Sequence, residues 1–576
     1  MNLSSSVKSF VKKNLRAPVV SVAKFLLLTT LFTIHHSPFT FAQLREIPYD
    51  SDSTFYRADL AIKNADRCYY LFLEADSLNS FPSGFKTLKH LKGIAFKHCP
   101  IVNWDEVVKQ LAQLSTLEYL EISVSNLKSL PVNIGSLQQL HSLNLKSNLL
   151  TELPSTITQC SKLQFLNLSF NRKMNWSSLM EVLGGLNSLE VLDLSACNIS
   201  ELPENFSSLT HLTEIDLSDN KLVSFPNDPE KMTSLETLIL KNNPQLDYEK
   251  VIAEVSQIPS LKNLNIASND LTSLPNSVGK LKSVEKLDLS GNLLSELPKS
   301  FTQLVQLKEL NLGTDVLGQR SNNIRDLPGD FDRLINLEVL NLSRSLLGKI
   351  PNAVAKMPKL RELNMTFCNL LSISNALRKA TNLEVLILDR NKIKKIPKWI
   401  GELTNLRVLQ LDGDFFVDHI FKIQVLPSSI GNLKNLEVLS LKDQVIPGLP
   451  FSCSQLQKLR VLDLRDNLIS LLPDDFSSLQ NLEYLDLKAN ELKALPPNFS
   501  SLKKLKTLNI AYNTSLDIGA TCLQLQKMTW LQTLDLSFNK LTVQIFNDLN
   551  KALPKTQIVA KGLNNLLQIE NLEGHH

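Results

Sequence analysis

Glycine is scarce in this chain, 18 of 576 residues, about 3% where ~7% is usual. That leaves little scope for phosphate-cradling loops or for the tight turns of hairpin-rich folds. Long apolar runs are wanting too: after residue 42 no segment approaches the ~20 residues that span a bilayer. Catalytic signatures are missing as well. There is no GxxxxGKS/T, GxSxG, HExxH or paired CxxC, which removes the common nucleotide-binding, serine-hydrolase and zinc-protease templates. Nor does the formal charge of +4 supply a basic surface for nucleic acid. The excess sits in residues 1–42, which hold Lys8, Lys12, Lys13, Arg16 and Lys24 and no acid. The remainder is faintly acidic, so a nucleic-acid reading based on basicity fails.

Those first 42 residues look like an address label. The basic stretch leads into Phe25–Ile34, ten uncharged and mostly apolar residues, the length of a secretory core and half that of a membrane span. Thr40-Phe41-Ala42 offers small residues at the cut, leaving Gln43 first. No cysteine stands there for lipid attachment. The expectation is a signal peptide over 1–42 and a mature chain without a membrane span: secreted, periplasmic or at the cell surface.

What fills the rest is a repeat. Leu140-His-Ser-Leu143-Asn-Leu145-Lys-Ser-Asn148-Leu-Leu150 aligns with its neighbours on the template L-x-x-L-x-L-x-x-N-x-L-x-x-L-P. The opening position recurs twenty times, from Cys68 and Leu91 to Leu505 and Leu531. Steps are mostly 23 residues, with four of 26 and two of 30. Alternation in L-x-L turns the leucines to one face of a strand and the x residues to the other. One unit cannot bury its leucines alone, so neighbours must stack into a continuous core.

These residues resemble the leucine-rich repeat family, in the 23-residue Leu-Pro type of Ras-pathway scaffolds, LAP polarity proteins and disease-resistance-like repeats. The resemblance implies an α/β solenoid, a horseshoe with a parallel β-sheet on the concave face and short helices and extended segments on the convex face. It also implies that the asparagine column, with Asn148, Asn171, Asn391 and Asn467 among its members, forms a buried amide ladder. Cys99, Cys197 and Cys368 substitute in that column. The 26-residue repeats carry helical backs such as Leu246–Val255. On this reading residues 43–67 are an N-terminal helical cap, with a helix over 53–66. Residues 68–552 are the solenoid, and 553–576 are a cap strand (556–559) and tail.

Candidate chemistry is thin. All seven cysteines fall at interior positions of the template and are expected as core thiols. His98 and His141 reach the concave face in different strands and read as surface residues, and His575-His576 as a free tail. A column rich in acids (Asp193, Asp216, Asp288, Asp463, Asp486, Asp535) could in principle hold calcium or form an acid/base pair. It belongs to the repeat itself, however, so no metal, cofactor or catalytic role is assigned.

Function on a solenoid belongs to the exposed x positions and to departures from the template. Two insertions of seven residues, 315–321 and 414–420, each follow a strand four repeats apart, roughly 20 Å at ~4.8 Å per strand. The strip between them carries Arg344, Arg361, Phe367, Arg390 and Arg407, and the second loop adds Phe415 and Phe416. Arginine and aromatics are the residues enriched at interface hot spots. The expectation is a non-catalytic scaffold that binds a protein ligand on its concave face. Two other readings are an intracellular signalling scaffold and a glycan or cell-wall binder.

Overall fold

The computed structural model describes residues 52–74, 84–99, 103–314 and 320–563, in two compact units, 38–322 and 323–576. The segment expected to be a signal peptide (1–42), most of the first insertion (315–319) and the tail from 564 lie outside the described residues. Each repeat opens with a short strand, mostly of three residues. The first unit has twelve among the described residues, Thr54–Phe55 to Glu309–Asn311, and the second has ten, Val339–Asn341 to Gln557–Val559. Within each unit successive strands pair in parallel, in a register that sets leucine beside leucine: Leu363 beside Leu386, and Leu386 beside Leu409.

The template leucines make the core. Leu383, Leu386 and Leu388 are at most 1% exposed, and each such burial contributes about 1.5–3 kcal/mol. The back of each coil adds one large apolar side chain, Phe301, Phe331, Phe476 or Phe499 for example, all fully buried. Proline precedes the 3₁₀ turns of many backs: Pro397 leads into Lys398–Glu402, and its carbonyl accepts from Ile400. Starting the turn costs no hydrogen bond there, because that position has no N–H to satisfy. All four 26-residue repeats carry true helices instead, Trp104–Leu111, Trp176–Leu183, Tyr248–Val255 and Ile518–Leu525. Each is capped by an Asn or Asp side chain that accepts a first-turn amide.

The amide ladder is present. Asn391 accepts from the amides of Cys368 and Leu370 and donates to the carbonyls of Met365 and Leu388. Where cysteine stands in its place, the thiol takes over donation to the preceding coil: Cys197 Sγ to Leu168 O at 3.2 Å, Cys368 Sγ to Leu342 O at 3.1 Å. Burial pushes the Cys197 thiol up to about 12, so it stays protonated as that donor requires. All seven cysteines are buried and unpaired.

The cap at the first strand departs from expectation. The helix spans only Ala58–Lys63, because Thr54–Phe55 pairs as a strand with Tyr70–Leu71 and covers its edge through hydrogen bonds that a helix lacks. At the other end, helix Val543–Ala552 precedes strand Gln557–Val559, which pairs with Thr533–Asp535.

Candidate functional site

The acidic column on the concave face proves to be a turn device. Each carboxylate accepts the backbone N–H two residues on, where the strand ends. The distances are 2.9 Å for Asp193 to Ser195, 2.8 Å for Asp216 to Ser218 and 2.9 Å for Asp486 to Lys488. Asparagine does the same elsewhere in the column, as Asn341 does for Ser343. This satisfies an amide that the three-residue strand leaves orphaned. Among the described residues no group of three or more His, Cys, Asp or Glu is placed to hold a metal ion.

The predicted strip of the 323–576 unit divides into three. Arg361 and Arg407 stand just before their strands, in a row that alternates in sign. Arg361 pairs with Glu338 at 2.7 Å and Glu384 at 3.8 Å; Arg407 pairs with Glu437 at 2.8 Å and Glu384 at 3.7 Å. They line one hollow of about 700 Å³ in which every glutamate has an arginine partner. Beneath that row the concave face is apolar. Val385, Val408, Val438 and Val461 stand side by side, 2–7% exposed. The charge of the strip therefore lies along its rims. The signal for this ribbon was the repeated Val-Leu at the start of four successive strands.

Arg344, Phe367 and Arg390 occupy the opposite rim, in the residue before the ladder position. All three have left-handed backbone, with φ of 59°, 60° and 54°, a conformation that costs a non-glycine residue roughly 1–2 kcal/mol. The turn recovers it because each amide thus reaches the next coil: Arg344 N to Thr366 O, Phe367 N to Asp389 O, Arg390 N to Asp412 O. The Arg344 guanidinium lies over the Phe367 ring, 5.0 Å from its centroid. Sequence reasoning missed this row because its members (Ser147, Phe170, Ala196, Asp219, Tyr512 and others) share no residue type.

The second insertion rises on that same rim. Asp414 caps it by accepting from Phe416 N, and Lys422 ties its end down at 2.8 Å from Asp443. Its strand-side root is Gly413, where any Cβ would collide with the Asp443 carbonyl. Phe415 and Phe416 meet edge to face, centroids 5.6 Å apart, and remain 84% and 92% exposed. With Arg390, Asp389, Asp412 and Leu468 they line a groove of about 840 Å³. Burial and the neighbouring Asp412 carboxylate push Asp389 well above the usual carboxylate range. Of the seven candidates, then, Arg390, Phe415 and Phe416 converge on one groove. Arg361 and Arg407 belong to another, and Arg344 and Phe367 pair with each other. Five residues of the first insertion (315–319) lie outside the described residues.

A model described as a leucine-rich repeat region matches residues 69–178, 162–271 and 452–555, more than half of the chain, and a second, described as leucine rich repeat, matches 259–317 and 316–371. This chain belongs to the leucine-rich repeat family. No curated protein matches it. Among solved structures, this leucine-rich repeat protein is similar to TLR13 in a complex with ssRNA13, at 21% identity and TM-score 0.51, over 85% of this chain and 83% of that one. A leucine-rich repeat protein of Leptospira interrogans aligns at 24% identity and TM-score 0.44, over 88% and 99% of the two chains. A plant peptide hormone receptor, RGFR1 with RGF2, aligns at 22% identity and TM-score 0.47, over 88% and 92%. At these identities the likeness is one of fold. Among the described residues no helix is long and apolar enough to cross a membrane.

Proposed function

We propose that this leucine-rich repeat protein is an exported or surface-associated, non-catalytic scaffold that recognises a protein ligand through the 323–576 unit. The contact would be made by Arg344, Phe367, Arg390, Phe415 and Phe416. The observation that carries this reading is the pair of phenylalanines held out on a capped, anchored loop beside a groove. Two adjacent aromatic rings left almost wholly in water mark a surface that another molecule covers. The hydrogen-bonded coils behind them are pre-formed, which limits ordering costs on binding. Arg361 and Arg407 have a different job, neutralising the glutamates of their row.

Affinity capture with the secreted chain tests this. The chain is first checked for an N-terminus at Gln43; retention of Met1 would count against export. Arg344→Glu with Arg390→Glu is expected to abolish a partner that the native chain retains, and Arg361→Ala with Arg407→Ala to keep it. The reverse pattern would move recognition to the other rim, and equal capture by all three would remove it from this strip.

A further inference from the structure

The groove beside the second insertion carries a charge imbalance that specifies its occupant. Asp389 and Asp412 stand at the same template position in adjacent coils. Asp389 Oδ1 accepts the amide of Asp412 at 2.8 Å; Asp412 Oδ1 accepts the Ser440 hydroxyl at 2.5 Å and the Lys442 amide at 3.0 Å. Among the described residues the Oδ2 atom of each makes no hydrogen bond, and neither carboxylate has an ion-pair partner, although both line the groove. The cations nearby do not fill the gap. Lys422 is taken by Asp443 and Arg465 by Asp463, while Arg390 and Lys442 act on Asp389, and Lys442 and Arg465 on Asp412, only at longer range. In the opposite hollow, by contrast, Glu338, Glu384 and Glu437 each pair with an arginine.

We propose that the groove takes an arginine or lysine side chain of a protein ligand between Asp389 and Asp412, with an apolar neighbour of that residue against Phe415 and Phe416. This deepens the recognition reading above and rests on it. Two partly desolvated carboxylates without a counter-charge are compensated by a cation entering the groove. The same cation passing exposed aromatic rings is attracted to their faces. An acidic or phosphorylated segment meets the opposite response. Exposed Phe415, Phe416 and Leu468 supply the apolar contact, so the fitting segment alternates basic and apolar residues.

A random 15-residue peptide library displayed on phage, panned against the immobilised full chain, tests this without knowledge of the natural ligand. The native chain is expected to enrich peptides with a required Arg or Lys beside an apolar residue. Asp389→Asn with Asp412→Asn keeps the Oδ1 acceptors and is expected to weaken those peptides about tenfold or more. Phe415→Ala with Phe416→Ala, on the exposed lip, should weaken them as well. Peptides lost with the phenylalanines but needing no basic residue would overturn the cation inference and leave recognition standing. Peptides indifferent to both double variants would remove the groove from recognition altogether.

Discussion

Lys422 Nζ lies 2.8 Å from Asp443 Oδ1, with 6% and 16% of the two side chains exposed. This is a mostly buried ion pair at the point where the second insertion rejoins the coil. The Ile423 amide, next in the chain, is accepted by Gln444 beside Asp443. The phenylalanine lip therefore stands on a base held from two adjacent residues of the following repeat.

Removing one partner of that pair leaves the other buried and uncompensated. Lys422→Met is expected to destabilise the unit by about 3 kcal/mol, seen as faster amide exchange over 414–446. The double variant Lys422→Met with Asp443→Asn should recover most of the loss. Equal exchange in the single variant and the native chain would show that the insertion does not depend on the pair.

Asn391 of the ladder and Asn405, three residues before the strand at Val408, contrast in burial. Asn391, 6% exposed, makes five hydrogen bonds to backbone. Asn405 is exposed and makes one, donating to Thr381 O. Asn391→Ala should cost about 3 kcal/mol or more, since each stranded buried amide or carbonyl costs about 1–3 kcal/mol. Asn405→Ala should cost under about 1 kcal/mol, water replacing its partner. Urea unfolding of the two variants checks the ratio, and similar losses would deny the ladder its stabilising role.

Acidity should stabilise this unit. Asp463 and Asp486 stand beside one another in adjacent strands, both nearly inaccessible, and Arg465 reaches Asp463 at 2.8 Å. Burial, then the Asp486 charge, push Asp463 up to about 8, and Asp486 moves in the same direction. The unfolded carboxylates release their protons near pH 4. Between about pH 4 and 8 the folded state thus holds more protons, and stability falls as pH rises. Asp463→Asn keeps the acceptor for the Arg465 amide and should flatten that slope, raising the urea midpoint at pH 8 more than at pH 5. A midpoint climbing from pH 5 to pH 8 in the native chain would mean that Arg465 holds both carboxylates ionised.

Much of the architecture was legible because the coil repeats its own contacts. A leucine at the opening position, the asparagine eight residues on and the length of the back each act within one coil or on the next at a constant offset. Aligning Leu140–Leu150 with its neighbours was therefore enough to place strands, ladder and helical backs, and even Asn322 returns to the ladder behind its insertion, donating to Leu289 and Leu312. The acidic column reads as part of the repeat for the same reason, but its job as a turn acceptor was not legible. Nothing local separates a carboxylate that caps an amide from one that faces a ligand.

By itself the sequence determined the period, the buried leucines, the amide ladder and the presence of two insertions. Tertiary structure alone decided which charges meet. Arg361 and Arg390 both belong to coils of one strip, yet a three-residue strand places them at opposite ends. One lies in a row of glutamates, and the other stands on a left-handed turn beside a groove with two uncompensated carboxylates. Pairing depends on the side chain that arrives from the next coil at that rim, a distance that no spacing along a single chain encodes.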